Sequence, residues 1–196
     1  MLLMNTVTCM GCGWGRPNMA DKKGQNRALS KYASLLASEH SPNCVFISHK
    51  KEDAEAAKVI GDFLMNAMGV DIYLDIYDEE LQEAADVDND KKIVEMIERG
   101  INTSSHLLCL ISDRTKLSWW VPYEIATAKC GKKKIASLKL NDTEDIPSFL
   151  KIEEVLWTIE DFLEYVKKFS LRHVWMGADV SFEHDDIESL KTYIDE

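Results

Sequence analysis

Alternating strand-like and helix-like segments across residues 44–170 predict an α/β domain, a parallel sheet wound on both faces by helices. Three observations carry this reading. Short apolar runs such as Cys44-Val45-Phe46-Ile47-Ser48 and residues 106–112 lack polar alternation, which suits central strands covered on both sides. Between the runs, apolar residues fall at helical spacing. The chain has 196 residues and is 45% apolar, enough to build one such core with modest extensions.

The elements follow in order. Residues 20–39 carry Ala28, Leu29, Tyr32, Leu35 and Leu36 at helical spacing, and Ser41-Pro42-Asn43 then breaks the chain. Residues 1–43 are therefore a leader and an amphipathic helix ahead of the domain. The first strand, 44–48, leads into a helix over 53–68 with Ala56, Ala57, Ile60, Phe63 and Leu64 on one stripe and Gly69 as its stop. A second strand spans 70–76. The acidic stretch 77–90 is too polar for a core element and reads as a long loop, a feature of functional sites. Ile93, Val94, Ile97 and Ile101 mark the next helix face, 106–112 a central third strand, and 118–130 a helix that Gly131 stops. A fourth strand at 134–140, a fifth at 155–159 and a helix over 161–169 complete the domain. Five such strands take the flavodoxin-like order 2-1-3-4-5, which makes the first and third strands neighbours at the switch point. A ligand crevice is expected beyond Ser48 and Ser112, against the helix beginning near Ser118. In the extension 171–196, Val174, Trp175, Phe182, Ile187, Leu190 and Ile194 can pack a short helix on the domain or on a neighbouring copy.

Composition excludes several function classes. Twenty-three basic against 34 acidic residues give a net charge of -11, which a phosphate backbone would repel, so nucleic-acid binding is not expected. No apolar stretch approaches the ~20 residues of a membrane helix, and the start lacks the basic region and cleavage site of a signal peptide. Of five cysteines, Cys44, Cys109 and Cys130 read as buried or helical thiols. Cys9 and Cys12 form a lone C-x-x-C without the second pair or nearby histidines of a zinc site, so no metal is expected. The odd count and the missing signal sequence favour a reducing cytoplasm.

The ordered motifs resemble those of a known family. Val45-Phe46-Ile47-Ser48-His49 with Glu52-Asp53 resembles the opening strand of TIR domains, particularly bacterial ones. Val70 to Asp75 resembles their second strand, and the acidic stretch after it their BB loop. Leu107 to Ser112, followed by Ser118-Trp119-Trp120-Val121-Pro122-Tyr123-Glu124, resembles the third strand and the W-x-x-x-E helix. The resemblance covers about two-thirds of the chain, 44–170, in the right order, and omits the leader and the extension. It implies either a scaffold that assembles signalling complexes or an enzyme that cleaves NAD with one glutamate, here Glu124. It points most closely to a stand-alone TIR protein of Thoeris-type anti-phage defence. Such a protein would take NAD as substrate with no cofactor and release ADP-ribose or a cyclic isomer, with a separate effector protein to respond. A non-catalytic interaction module and a host-directed virulence factor are the alternative readings.

The chemistry explains why one carboxylate would suffice. The nicotinamide–ribose bond already carries a cationic leaving group, so no general acid is required. The ribosyl cation that forms resembles the oxocarbenium ion of glycoside cleavage, and a carboxylate can stabilise it. Trp120 and Glu124 are four residues apart and share one helix face, Pro122 suits a first turn, and Ser118 suits the N-cap. In the family a serine near this point lines the nucleotide site. Phe46, Ser48, His49, Lys50 and Lys51 leave the first strand toward the crevice, where either lysine suits a pyrophosphate. Phe46 suits the core equally well, and a solvated turn suits both lysines. Asp75 and Tyr77 border the acidic loop, with Asp75 in reach of a ribose hydroxyl. That loop lacks the proline- or glycine-rich tip of animal signalling members, and an acidic loop beside an anionic nucleotide must turn outward or meet a neighbour. Activity is therefore expected to depend on self-association through TIR–TIR contacts.

Overall fold

Strand β1, Cys44–Ser48, is buried at every position, as an unbroken apolar run without alternation requires. The structure, a computed structural model, describes residues 43–77, 89–141, 143–170 and 184–195. After β1 come a short 3-10 turn at Lys51–Asp53, helix α1 (Ala54–Asn66), strand β2 (Asp71–Tyr73) and a second 3-10 turn at Asp75–Tyr77. Helix α2 (Asp90–Thr103), strand β3 (His106–Ile111), helix α3 (Trp120–Cys130) and strand β4 (Lys134–Lys139) follow. Strand β5 (Glu154–Leu156) and helices α4 (Ile159–Lys167) and α5 (His184–Lys191) complete the order. All strands are parallel and lie in the order β2-β1-β3-β4-β5, the flavodoxin-like arrangement expected from the alternation.

Alternate strand residues feed two cores. Val45 and Ile47 of β1 and Leu108 and Leu110 of β3 pack with Ile60, Phe63 and Leu64 of α1 and Phe162 and Val166 of α4. On the other face, Phe46, Leu107, Cys109 and Ile111 meet Met96, Ile97 and Ile101 of α2 and Val121, Ile125 and Ala128 of α3. The period of two along each strand is what divides the sheet between these layers.

Several boundaries differ from the sequence reading for local reasons. β2 is shorter than 70–76 because it is an edge strand whose ladder with β1 ends at Phe46↔Tyr73, after which the chain bends into the turn at Asp75. β5 ends at Leu156, and α4 begins at Ile159, before the expected 161. Thr158 closes a capping box there: its Oγ1 accepts from the Asp161 amide at 3.2 Å and its own amide donates to Asp161 Oδ2 at 3.2 Å. Gly69 ends α1 with φ 64 as expected, but Gly131 keeps φ -75 and Lys132 takes the left-handed position with φ 54. The extension resolves in favour of the domain itself for three of the named residues, with Ile187 packed partly buried against the first core. Leu190 and Ile194 are fully buried in the first core, and the Asn141 and Ile159 amides donate to the carbonyls of Tyr193 and Asp195 at 2.9 Å each. The predicted leader helix, the acidic residues 78–88 and Val174, Trp175 and Phe182 lie outside the described residues. No described helix is long and apolar enough to cross a membrane.

Candidate active site

β1 and β3 run side by side, with Ser48 paired to Cys109, so their carboxyl ends open at the point where the sheet order reverses. α3 lies over that point. Its inward stripe is Val121, Glu124, Ile125 and Ala128, so one carboxyl group is carried into an otherwise apolar contact with the sheet. Glu124 is only 4% exposed. Ser48 Oγ donates to its Oε2 at 2.5 Å.

The surroundings of Glu124 favour its neutral form. Burial is the largest cause, and the charge of Asp75 adds to it. The Ser48 hydrogen bond opposes both. The net effect pushes its pKa up from 4.5 to about 8. Asp75 in turn lies 3.7 Å from His49 Nδ1, with its side chain 28% exposed. The Cys109 thiol is fully buried, and burial together with the Glu124 charge pushes its pKa up, so it is an inert wall of the site.

The structure thus joins Ser48, His49, Asp75 and Glu124 around one point, drawn from β1, the turn after β2 and α3. Trp120 stands at the start of α3, partly exposed, with Tyr123 edge-on at 6.3 Å between ring centroids. Tyr123 is itself fixed by donating to Glu98 at 2.6 Å. Ser118 Oγ accepts from the Val121 amide at 3.2 Å, a capping contact made one residue before the helix's own cap position. Phe46, Lys50 and Lys51 sit on β1 and on the turn that follows it. Phe46 is 1% exposed and stacks on Tyr73 with centroids 5.4 Å apart, inside the core. Lys50 lies 3.8 Å from Glu52, and Lys51 is exposed on the 3-10 turn. Tyr77 ends its turn, and its side chain is outside the described residues.

A second polar cluster was missed by sequence reasoning. Asp53, 3% exposed, accepts from Ser112 Oγ at 2.6 Å and from Arg114 Nε and Nη2 at 2.9 and 2.6 Å. These partners are 59 and 61 residues away, and no local pattern announces such a pairing. Among the described residues no group of three or more His, Cys, Asp or Glu side chains could hold a metal ion.

The order of strands, the α3 glutamate and the serine that meets it can be set against known families. Residues 46–145, about half of the chain, match the family described as Thoeris protein ThsB, TIR-like domain. The chain belongs to that family. The matched span of the TIR-like domain runs from β1 through β4 and contains Ser48, His49, Asp75, Trp120 and Glu124. No curated protein matches the chain.

Proposed function

We propose that this TIR-like domain of Thoeris defence cleaves the nicotinamide–ribose bond of NAD, with Glu124 as the reacting carboxylate. One observation carries the reading: a carboxyl group buried on the sheet-facing stripe of α3 and met, among the described residues, by one serine hydroxyl at the switch point of the sheet. A structural role explains that placement poorly, because a buried carboxyl group costs stability that an apolar residue there would not.

The pyridinium ring would bring the charge that the site lacks. A cation next to Glu124 favours its carboxylate form, so substrate binding draws the pKa down from about 8 and ionises the group where it is used. The C1′–N bond then breaks, its electron pair leaves with neutral nicotinamide, and the carboxylate stabilises the ribosyl cation. Ser48 keeps the carboxylate oriented, and Asp75 adds negative charge on the same side. Trp120 offers a partly exposed ring at the rim, suited to stacking on the substrate. Water captures the cation to give ADP-ribose, or a nitrogen of the adenine base of the same nucleotide closes a cyclic isomer, and either product would act on a separate effector protein. Self-association belongs to the proposal: Leu117 and Trp119, 70% and 91% exposed on the loop between β3 and α3, offer an apolar contact for a second copy beside the site.

The test is incubation of the purified full chain with NAD, with products resolved by chromatography and mass. The expected result is nicotinamide release that rises faster than linearly with protein concentration and falls at least 100-fold in Glu124→Gln. Intact NAD at every protein concentration, crowded conditions included, would leave the interaction-module reading in its place.

A further inference from the structure

Two cross-links join the same two stretches of chain. One is Ser48 to Glu124, between the end of β1 and α3. The other is Asp53 to Ser112 and Arg114, between the turn after β1 and the loop that leads into α3. The Asp53 carboxylate is 1% exposed and receives three donors, so its charge is fully compensated and its geometry closely determined. On its own side, the Asp53 amide donates to Lys50 O at 2.7 Å, two residues beyond Ser48.

From that anchor the hydrogen bonds continue without a break to the helix of the glutamate. The Arg114 amide donates to Ser112 Oγ at 3.2 Å. Thr115 Oγ1 accepts from the Ser112 amide at 2.9 Å and donates to Leu110 O at 3.2 Å. The Leu117 and Ser118 amides donate to Arg114 O and Thr115 O, both at 3.0 Å, and Ser118 Oγ receives the Val121 amide. Glu124 is one turn further on. Each bond fixes the next, so the loop behaves as a rigid strut between the anchor and the reacting group.

We propose that Asp53 is a positioning residue for Glu124, setting through Ser112 and Arg114 how closely α3 presses its carboxyl group against Ser48. It touches no reacting atom. Its removal releases the loop, α3 shifts outward, and water reaches Glu124. Among the described residues, the groups facing that carboxyl are Ser48 and Cys109 on the strands and Asp75, itself next to His49, on the turn after β2. None of them belongs to the clamp, and a Glu124 shift shared by Asp53→Asn and Arg114→Gln, which change the local charge in opposite senses, reports the position of α3.

The inference rests on the proposed reaction only in its kinetic arm, and a second arm stands apart from it. Isotope-labelled glutamate carboxyl carbons are followed by NMR across pH in the full chain, with Glu124→Gln assigning the signal. In Asp53→Asn, shown to be folded by circular dichroism, the Glu124 midpoint should fall by about one unit or more as water enters. Ser112→Ala, which removes one donor and keeps the ion pair, should give a smaller step in the same direction. NAD cleavage by Asp53→Asn should lose roughly 10- to 100-fold in kcat with KM within about threefold, the pattern of a misplaced reacting group. Arg114→Gln, which removes the opposite charge, should lower the Glu124 midpoint too, and a rise there would show a charge effect and overturn the proposal. Where either variant does not fold, Ser112→Ala, which changes no charge, decides. An unchanged Glu124 midpoint in a folded clamp variant overturns the proposal. Absence of NAD cleavage in the unaltered chain would defeat the proposed function and leave the titration arm to decide this one.

Discussion

Glu124 shares its helical stripe with Val121, Ile125 and Ala128, and Ser48 is the hydroxyl that meets it. That hydrogen bond favours the ionised form against burial and against Asp75. Ser48→Ala should therefore raise the Glu124 pKa further above about 8. If cleavage needs the carboxylate, kcat/KM rises with pH through that value, and the acid limb in Ser48→Ala moves to higher pH, with a loss of about tenfold near neutrality. An acid limb that stays in place while kcat/KM falls uniformly would mean that Ser48 contacts substrate instead. At this scale the sequence carried the glutamate through its motif, Ser48 through its place at a strand end, and Asp75 through its place beside the acidic loop. It did not carry the burial of Glu124, since a W-x-x-x-E spacing is equally compatible with an exposed carboxylate. Phe46 was legible as core and as site alike, and only the stack on Tyr73 places it.

Among the elements, the end of α3 holds a strained residue. The Lys132 amide donates to Lys129 O and the Lys133 amide to Ala128 O, both at 3.0 Å, a Schellman closure with its left-handed position filled by lysine at φ 54. The side chain there crowds its own carbonyl, so Lys132→Gly should raise stability by roughly 0.5–1 kcal/mol, read as a higher thermal midpoint with activity unchanged. In α2 the opposite case arises. A Cβ on Gly100 would stand 2.5 Å from the Tyr73 ring, so Gly100→Ala must displace a buried aromatic that stacks on Phe46. A loss of about 1–3 kcal/mol in denaturant unfolding is expected, although alanine favours the helix. The central strands β1 and β3 were legible because buried parallel strands are written as continuous apolar runs. The β5–α4 boundary was misplaced because the Thr158–Asp161 capping box, visible as a spacing, was outweighed by the apolar residues on either side of it. The Asp53–Arg114 pair had no local signal at all, because it exists only once two distant segments meet.

For the molecule as a whole, two buried groups titrate in opposite senses. His106, stacked on Phe169 at 4.0 Å and pushed down by burial and by Lys134 from 6.5 to about 4, is kept neutral in the fold. Its folded pKa is depressed, so its contribution is present above about 6.5 and is lost as pH falls through about 4. Glu124 has a raised folded pKa, so its contribution is present below 4.5 and is lost as pH rises through about 8. Between pH 4.5 and 6.5 the unfolded chain holds the histidine proton and the folded chain the glutamate proton, and the two slopes cancel. From 6.5 to 8 only the Glu124 loss remains, on the order of 2 kcal/mol. Surface charges and the net charge of -11 add their own slope, but they are common to a variant that differs in one buried group. The difference between Glu124→Gln and the unaltered chain in chemical denaturation is therefore the informative curve. It should rise steadily with pH from about 4.5 to 8 and flatten beyond, with the glutamine variant gaining stability where the proposed catalytic group ionises. A flat difference across that range would show that Glu124 titrates as an ordinary carboxylate, and the argument for a reacting group held neutral by burial would go with it.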